Sequence, residues 1–227
     1  MFGPVVPTPY DLRFSLLGIP VRVSPWFWLM SAILGWSAIE LGLQFLLLWV
    51  LAVFISILVH EFGHALTARA FGYPPRVLLY QFGGLAMYTP DHKYALWKSL
   101  LTVAAGPFAG ILLGGAVLIL TLTLRTQKIE MTDEAAMFLS DMLYINFFWS
   151  AMNLLPVLPL DGGQMSRDLL LMVTPRRGMQ FALIISAVVG AGIAIWALTS
   201  QQLYIAILFG SMAGGSIQEL QRRRQMY

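Results

Sequence analysis

The chain has 227 residues, of which 58% are hydrophobic and 11% charged, with a mean hydropathy of +0.74 and a formal net charge of +3. A soluble domain is about half apolar and about a quarter charged. This composition therefore excludes an ordinary soluble protein and indicates a chain that lies in lipid. The absence of cysteine excludes disulfides, thiolate metal ligands and a cysteine nucleophile.

The N-terminal 25 residues are predicted to form an interfacial or β segment. They lack the basic start, apolar run and small-residue cleavage site of a secretory signal peptide. A spanning helix needs about 17–25 mainly apolar residues. On that criterion the remaining sequence predicts six transmembrane helices, at residues 26–42, 44–68, 99–124, 135–155, 181–198 and 203–217.

Residues 71–93, between the second and third predicted helices, are rich in glycine and proline. This composition argues against a helix and predicts a membrane-associated β-hairpin or re-entrant loop. The predicted fold class is therefore an all-α membrane protein with six transmembrane helices and one such hairpin. We expect residues 1–227 to form a single transmembrane domain that ends in a basic cytoplasmic tail at 218–227.

The positive charges agree with a six-span topology. Of the 14 lysine and arginine residues, 12 lie in the termini and the loops on the same side, and only Arg125 and Lys128 lie on the other. Because positive residues concentrate on the cytoplasmic side, both termini are predicted to be cytoplasmic. The tail arginines are interpreted as a topology anchor, and we expect no nucleic-acid partner.

The run His60-Glu61-Phe62-Gly63-His64 is the strongest chemical signal. Residues four apart share a helix face, so both imidazoles reach one metal ion while Glu61 lies beside them. A zinc site with three protein ligands leaves a position for water, whose proton a carboxylate accepts during hydrolysis. The alternative is a chance match with two packed histidines, which the location inside an apolar span disfavours.

A second motif, residues 153–163, reads NLLPVLPLDGG and contains Asn153 and Asp161. Two prolines three apart end a helix, and two glycines after an aspartate allow a tight backbone path. Taken alone, the motif is explained equally well by a helix end followed by a loop and by a functional site. The third and fourth spans return the chain to the side of the histidines, so Asp161 is predicted as the third metal ligand. Asp168, next to Arg167, is predicted to be a surface charge.

At this point the chain resembles the site-2 protease family of intramembrane zinc metalloproteases, in its compact form without PDZ or CBS domains. The resemblance rests on HEFGH, on NLLPVLPLDGG, on Ala105-Gly106-Pro107 opening the third span, and on Gly83-Gly84 in the hairpin segment. The stretch 17–23 is also similar to the start of many compact members. One departure is Gly110, where many members carry asparagine, and we expect it to affect helix packing more than metal chemistry.

The resemblance implies one Zn²⁺ per chain, bound by His60, His64 and Asp161, with Glu61 as the catalytic base. It also implies that Asn153 stabilises the oxyanion or orients substrate, although a buried asparagine is also typical of helix–helix hydrogen bonds. The hairpin at Phe82, Gly83 and Gly84 is similar to one whose edge pairs with an extended substrate. The implied partners are the lipid bilayer and a single-pass membrane protein substrate, in a prokaryotic cell membrane.

Two other functions use the same ligands. A zinc transporter or metal-handling protein would bind zinc without needing Glu61 between the ligands, and the sequence contains one strong cluster only. A binding-only pseudoprotease is disfavoured because the base and all three candidate ligands are present. The motifs of serine and aspartyl intramembrane proteases are absent from the sequence.

Overall fold

The computed structural model describes residues 6–90 and 95–225. The beginning of the N-terminal segment, the end of the 71–93 segment and the last two residues of the basic tail lie outside the described residues. The strands are β1 Leu12–Leu16, β2 Ile19–Val23, β3 Arg76–Tyr80 and β4 Gly83–Met87. The helices are α1 Pro25–Leu34, α2 Leu43–Ala70, α3 Leu96–Thr126, α4 Asp133–Asn153, α5 Asp161–Val173, α6 Gly178–Thr199 and α7 Leu203–Gln225, with a 3-10 segment at Trp36–Leu41.

Four helices, α2, α3, α6 and α7, are long and apolar enough to cross a membrane within the described part of the chain. They indicate a multi-pass membrane protein, but the predicted number of six spans is not confirmed. The first predicted span is wrong as a continuous helix, because α1 ends at Leu34 before Gly35 and only a 3-10 segment follows. α4 has 21 residues, but Asp141, Asn146 and Asn153 lower its apolar character.

The strands form one sheet in the order β1-β2-β3-β4. β1 pairs antiparallel with β2, β2 pairs parallel with β3, and β3 pairs antiparallel with β4. β3 and β4 are the hairpin between α2 and α3 that the glycine- and proline-rich segment predicts. β4 is at the edge of the sheet, so one side of its backbone has no neighbouring strand in the described structure.

Contacts divide the chain into two compact units. Among the described residues, the first unit comprises 6–90 and 105–151, and the second comprises 95–104 and 152–225. In the first unit the sheet and α2 share a core, in which Ile19, Val23 and Leu79 are fully buried and Ala52 and Ala65 of α2 are also buried. α2 ends where Phe71 caps it and Gly72 adopts a positive φ of 89°.

The second unit contains α5, α6 and α7. Its core cluster joins Val157, before α5, to Ala194 of α6 and Phe209 of α7. Polar groups add to this packing, because the Ser186 hydroxyl accepts a 2.8 Å hydrogen bond from the backbone N–H of Leu158 and lies 2.7 Å from the Ser216 hydroxyl.

One alternative and one expectation about the second unit are wrong. The alternative of a helix end followed by a loop fails at Gly162 and Gly163, because both lie in the first turn of α5. A Cβ atom at Gly162 would overlap the backbone of Leu154, so close packing of the helix on the preceding segment requires glycine here. Asp168 is not a surface charge, since it is 1% exposed and bonds the Arg167 guanidinium at 2.7 Å.

Candidate metal centre

Three residues of α2 form a buried cluster in the first unit. His60, Glu61 and His64 are 3%, 5% and 8% exposed, and one donor atom from each lies within 4.8 Å of the others. The apolar run around them forms a continuous helix, which brings residues 60 and 64 onto one face. The structure therefore brings together the three side chains of the HEFGH run, and their roles at a metal remain predictions.

The donor atoms are spaced as a divalent metal requires. Two ring nitrogens, each about 2.0–2.1 Å from one tetrahedral zinc, are about 3.3 Å apart. The Nε2 atoms of His60 and His64 are 3.2 Å apart, and the ring planes meet at 78°. Imidazole nitrogens are also ligands that zinc accepts, so His60 and His64 fit the metal that the HExxH spacing predicts, with Glu61 beside them.

Glycines allow α3 to approach this cluster closely. A Cβ atom at Gly106 would overlap the His64 ring, and a Cβ atom at Gly63 would overlap the carbonyl oxygen of Ala105. Gly106 and Pro107 lie in the interior of α3 and do not open it, because the helix begins at Leu96. The glycine at 106 therefore sets the position of the His64 ring.

Substituting Gly106 with alanine should weaken zinc binding. The added methyl group would displace the His64 ring, and residues that orient ligands typically contribute about 10–100-fold to metal affinity. Zinc titration of the purified protein measures this effect. Gly115→Ala on the same helix is the matched control, since a Cβ atom there meets nothing within 4 Å. Equal zinc affinity in the two variants would contradict the role of Gly106.

The β3–β4 hairpin lies directly over Glu61. A Cβ atom at Gly84 would overlap Cγ and Cδ of Glu61, so the backbone of β4 contacts that carboxyl group. Gly83 has a positive φ of 118°, which favours glycine at the turn, and the preceding Phe82 is 43% exposed. The edge strand of the sheet, β4, therefore runs beside Glu61.

Gly84→Ala should reduce the peptide cleavage that the HEFGH motif predicts, without removing zinc. The methyl group would push the Glu61 carboxyl out of place, and a misplacement of about 1 Å costs about 10²-fold in rate. Leu85→Ala is the control, because side chains alternate along a strand and Leu85 lies on the opposite, exposed face. Cleavage rate and zinc content, measured on the same samples, separate this effect from loss of the metal.

Tyr80 of β3 is electrostatically coupled to the cluster. Burial raises the pKa of its phenol, and the negative charge of Glu61 raises that pKa further. The phenol therefore keeps its proton at neutral pH and remains a hydrogen-bond donor. The sequence contained no signal for this residue beyond its place in the predicted hairpin.

Asp161 and Asn153, the other predicted site residues, belong to the second unit. Asp161 is the first residue of α5 and Asn153 is the last residue of α4, and both are 8% exposed. The cluster that the structure brings together consists of His60, Glu61 and His64. The roles of Asp161 as a ligand and of Asn153 at the oxyanion remain predictions.

The cluster lies in a part of the sequence that matches a known protein family. The sequence model of peptidase family M50 matches residues 48–136 and 123–197, which is more than half of the chain and includes HEFGH. The chain belongs to peptidase family M50. Its resemblance to site-2 proteases, inferred from the paired motifs, is confirmed by this match.

Two relatives and one solved structure are similar to this M50 chain. A zinc metalloprotease of Methanocaldococcus jannaschii is 29% identical over 71% of the chain and 46% of its own length. A Synechocystis sp. protein, provisionally named a zinc metalloprotease, is 28% identical over 87% of the chain and 51% of its own length. The chain thus spans about half the length of these curated relatives. The structure of the site-2 protease from M. jannaschii matches with a TM-score of 0.66 and 24% identity, over 93% of this chain and 95% of that one, which shows a shared fold.

The structure explains the packing of helices at Gly110, where the resemblance led us to expect an effect on packing. A Cβ atom at Gly110 would overlap the hydroxyl of Ser150, which is 1% exposed on α4. The neighbouring Asn146, 2% exposed, donates a 2.9 Å hydrogen bond to Ser56 of α2. Glycine at 110 therefore makes room for a polar side chain of α4, in agreement with the expected effect on packing.

Proposed function

We propose that the chain is an intramembrane zinc metalloprotease that hydrolyses peptide bonds in or near the transmembrane segments of membrane proteins. The observation that carries the proposal is the buried His60–Glu61–His64 cluster on an apolar helix of an M50 chain. Ionisable residues inside apolar spans are rare and mark functional sites. The names of the two relatives point to the same activity.

One zinc ion per chain would be held by His60 and His64, with Asp161 as the proposed third ligand. Support for Asp161 comes from its burial and from the proline- and glycine-containing motif in which it lies. Buried carboxylates are usually paired or bound to metals. When bound, zinc supplies a Lewis acid that polarises a carbonyl and lowers the pKa of water toward 7.

Glu61 is the proposed general base. Its carboxylate lies beside the imidazole donor atoms and below the backbone of β4. It would accept a proton from the attacking water and pass that proton to the leaving amine. Burial keeps the carboxylate in a fixed orientation, so the proton transfer needs no rearrangement of solvent.

The open edge of β4 is the proposed docking site for substrate. A helix hides its peptide bonds, whereas an extended segment can pair with an exposed strand edge through its backbone. Pairing with β4 would carry a peptide bond past Glu61, and the exposed Phe82 ring would contact a substrate side chain. The substrate class is therefore a membrane protein, in our proposal a single-pass one, whose helix unwinds locally.

Asn153 is proposed to orient the substrate or to stabilise the oxyanion. Its amide has the N–H donors that this role requires, and its side chain is buried at the end of α4. The alternative is that the Asn153 side chain only forms a hydrogen bond between helices and has no effect on catalysis. Unchanged kcat in Asn153→Ala would remove this residue from the catalytic site.

The proposed topology has six spans with both termini in the cytoplasm of a prokaryotic cell. Four spans are α2, α3, α6 and α7; the other two would be α4 and the region of α1 with its following 3-10 segment. The uneven distribution of lysine and arginine supports this orientation. A reporter enzyme that is active only outside the cytoplasm should be inactive when it is fused to the C-terminus. Activity of this fusion would overturn the proposed orientation.

Metal removal tests the function as a whole. The protein, reconstituted in vesicles, should cleave a single-pass model substrate, lose that activity when zinc is chelated, and regain it when zinc is added back. Vesicles without protein and a chelator already saturated with zinc are the controls. Zinc movement across the vesicles without cleavage would instead favour the metal transporter.

A further inference from the structure

A cavity of about 510 Å³ lies in the second unit, away from the histidine cluster in sequence. Its apolar wall includes Leu158, Pro159, Met179 and Leu183. This volume is in the range of about 300–1,000 Å³ that is typical of small-molecule sites. The cavity therefore has both the size and the apolar lining of a ligand site.

The rest of the lining is polar and rich in hydrogen-bond donors. Gln164 and Arg167 of α5 and Gln218, Glu219 and Arg222 of α7 contribute to it. The lining is amphiphilic, because it combines amide, guanidinium and carboxylate groups with apolar side chains. Such a lining suits a ligand that has a polar head and an apolar body.

The charges of the lining leave one cation unpaired. The Arg167 guanidinium bonds Asp168 at 2.7 Å, and Glu219 is neutralised by Arg223, also at 2.7 Å. Arg222 lines the cavity and has no ion-pair partner among the residues that the structure describes. The cavity is thus complementary to a ligand with a single negative charge.

The place of the cavity along the helices points to the membrane surface. α6 contributes its first turns and α7 its last turns, and Arg176 and Arg177 directly precede α6. Positive residues of this kind lie at the cytoplasmic interface, where anionic phospholipid head groups are found.

We propose that this cavity binds the phosphodiester head group of a monoanionic glycerophospholipid, as in phosphatidylglycerol. Arg222 would pair with the phosphate, and the amides of Gln164 and Gln218 would donate to head-group oxygens. The acyl chains would follow the exposed apolar residues of α6, which begin beside the cavity at Phe181 and Ile184. A free phosphate ion would leave the apolar wall without a partner.

Lipid binding is measured on the full-length chain by native mass spectrometry from detergent, with phosphatidylglycerol and phosphatidylcholine titrated separately. Phosphatidylglycerol should bind more tightly, and Arg222→Gln should weaken its binding about tenfold or more, because a hydrogen bond to a charged group is lost. Arg176→Gln removes the same charge from an exposed site outside the cavity and should change binding less than about fivefold.

Two further arms separate a lipid site from its alternatives. Met179→Trp fills the apolar wall without changing charge and should also reduce phosphatidylglycerol binding. Inorganic phosphate at equal concentration should not displace the lipid. Equal losses in the two arginine variants, equal binding of both lipids, displacement by phosphate, or full binding by Met179→Trp would each overturn the proposal. None of these measurements depends on peptidase activity, so their failure would leave the proposed function untouched.

Discussion

Glu61→Gln should lower the rate of substrate cleavage by about 10²–10⁴-fold, the usual contribution of a general base. Glutamine has nearly the same shape as glutamate but accepts no proton at neutral pH. The donor nitrogens of His60 and His64 are untouched, so zinc should remain bound. Cleavage of a model transmembrane substrate and metal content of the purified protein are the two measurements.

Substitution of an exposed acid provides the control for Glu61→Gln. Glu130→Gln makes the same chemical change in the loop after α3, where the side chain is exposed, and it should leave both measurements unchanged. Cleavage of the substrate at the normal rate by the Glu61→Gln protein would contradict the assignment of the chain as a zinc protease. A variant that loses zinc as well as activity would make Glu61 a ligand and not the base.

Asp161→Ala should weaken zinc binding by more than about 100-fold, because even residues that only support a ligand contribute about 10–100-fold. His64→Ala should abolish zinc binding, which gives the reference for complete loss of a ligand. Asp161→Asn keeps the size of the side chain and the first turn of α5, so it separates loss of a ligand from loss of helix structure. Zinc titration and far-UV circular dichroism are measured for all three variants.

The control for the Asp161 variants is Glu130→Ala, at the exposed loop position used above. Wild-type zinc affinity in both Asp161 variants would exclude Asp161 from the site, and the third ligand would have to be sought elsewhere. Weak binding by Asp161→Ala together with unfolding of α5 would point to a structural role.

The parts of the fold that depend on local pattern were predictable from the sequence. Long apolar runs located α2, α3, α6 and α7, and the glycine and proline content of residues 71–93 located the β3–β4 hairpin. The break at Gly35 was missed because an apolar run does not show where a helix ends. α5 was missed because two glycines resemble a loop unless the close backbone contact that requires them is known.

In the candidate site, too, only the arrangement within one helix was predictable from the sequence. His60, Glu61 and His64 lie within five residues of one helix, so their spacing alone predicts that they meet. The contacts of Gly84 with Glu61 and of Gly106 with His64 depend on how distant segments pack, which no local pattern encodes. The role of Asp161 rests on the predicted topology and awaits the zinc measurements above.

Because Gly106 has no side chain, the distance between α2 and α3 and the orientation of the His64 ring depend on each other. The surface of α3 against which α2 packs is also the surface that holds an imidazole in place. A substitution at this contact therefore changes both the packing of α2 on α3 and the orientation of the His64 ring. Evolution of the scaffold and evolution of the metal site are restricted to changes that serve both.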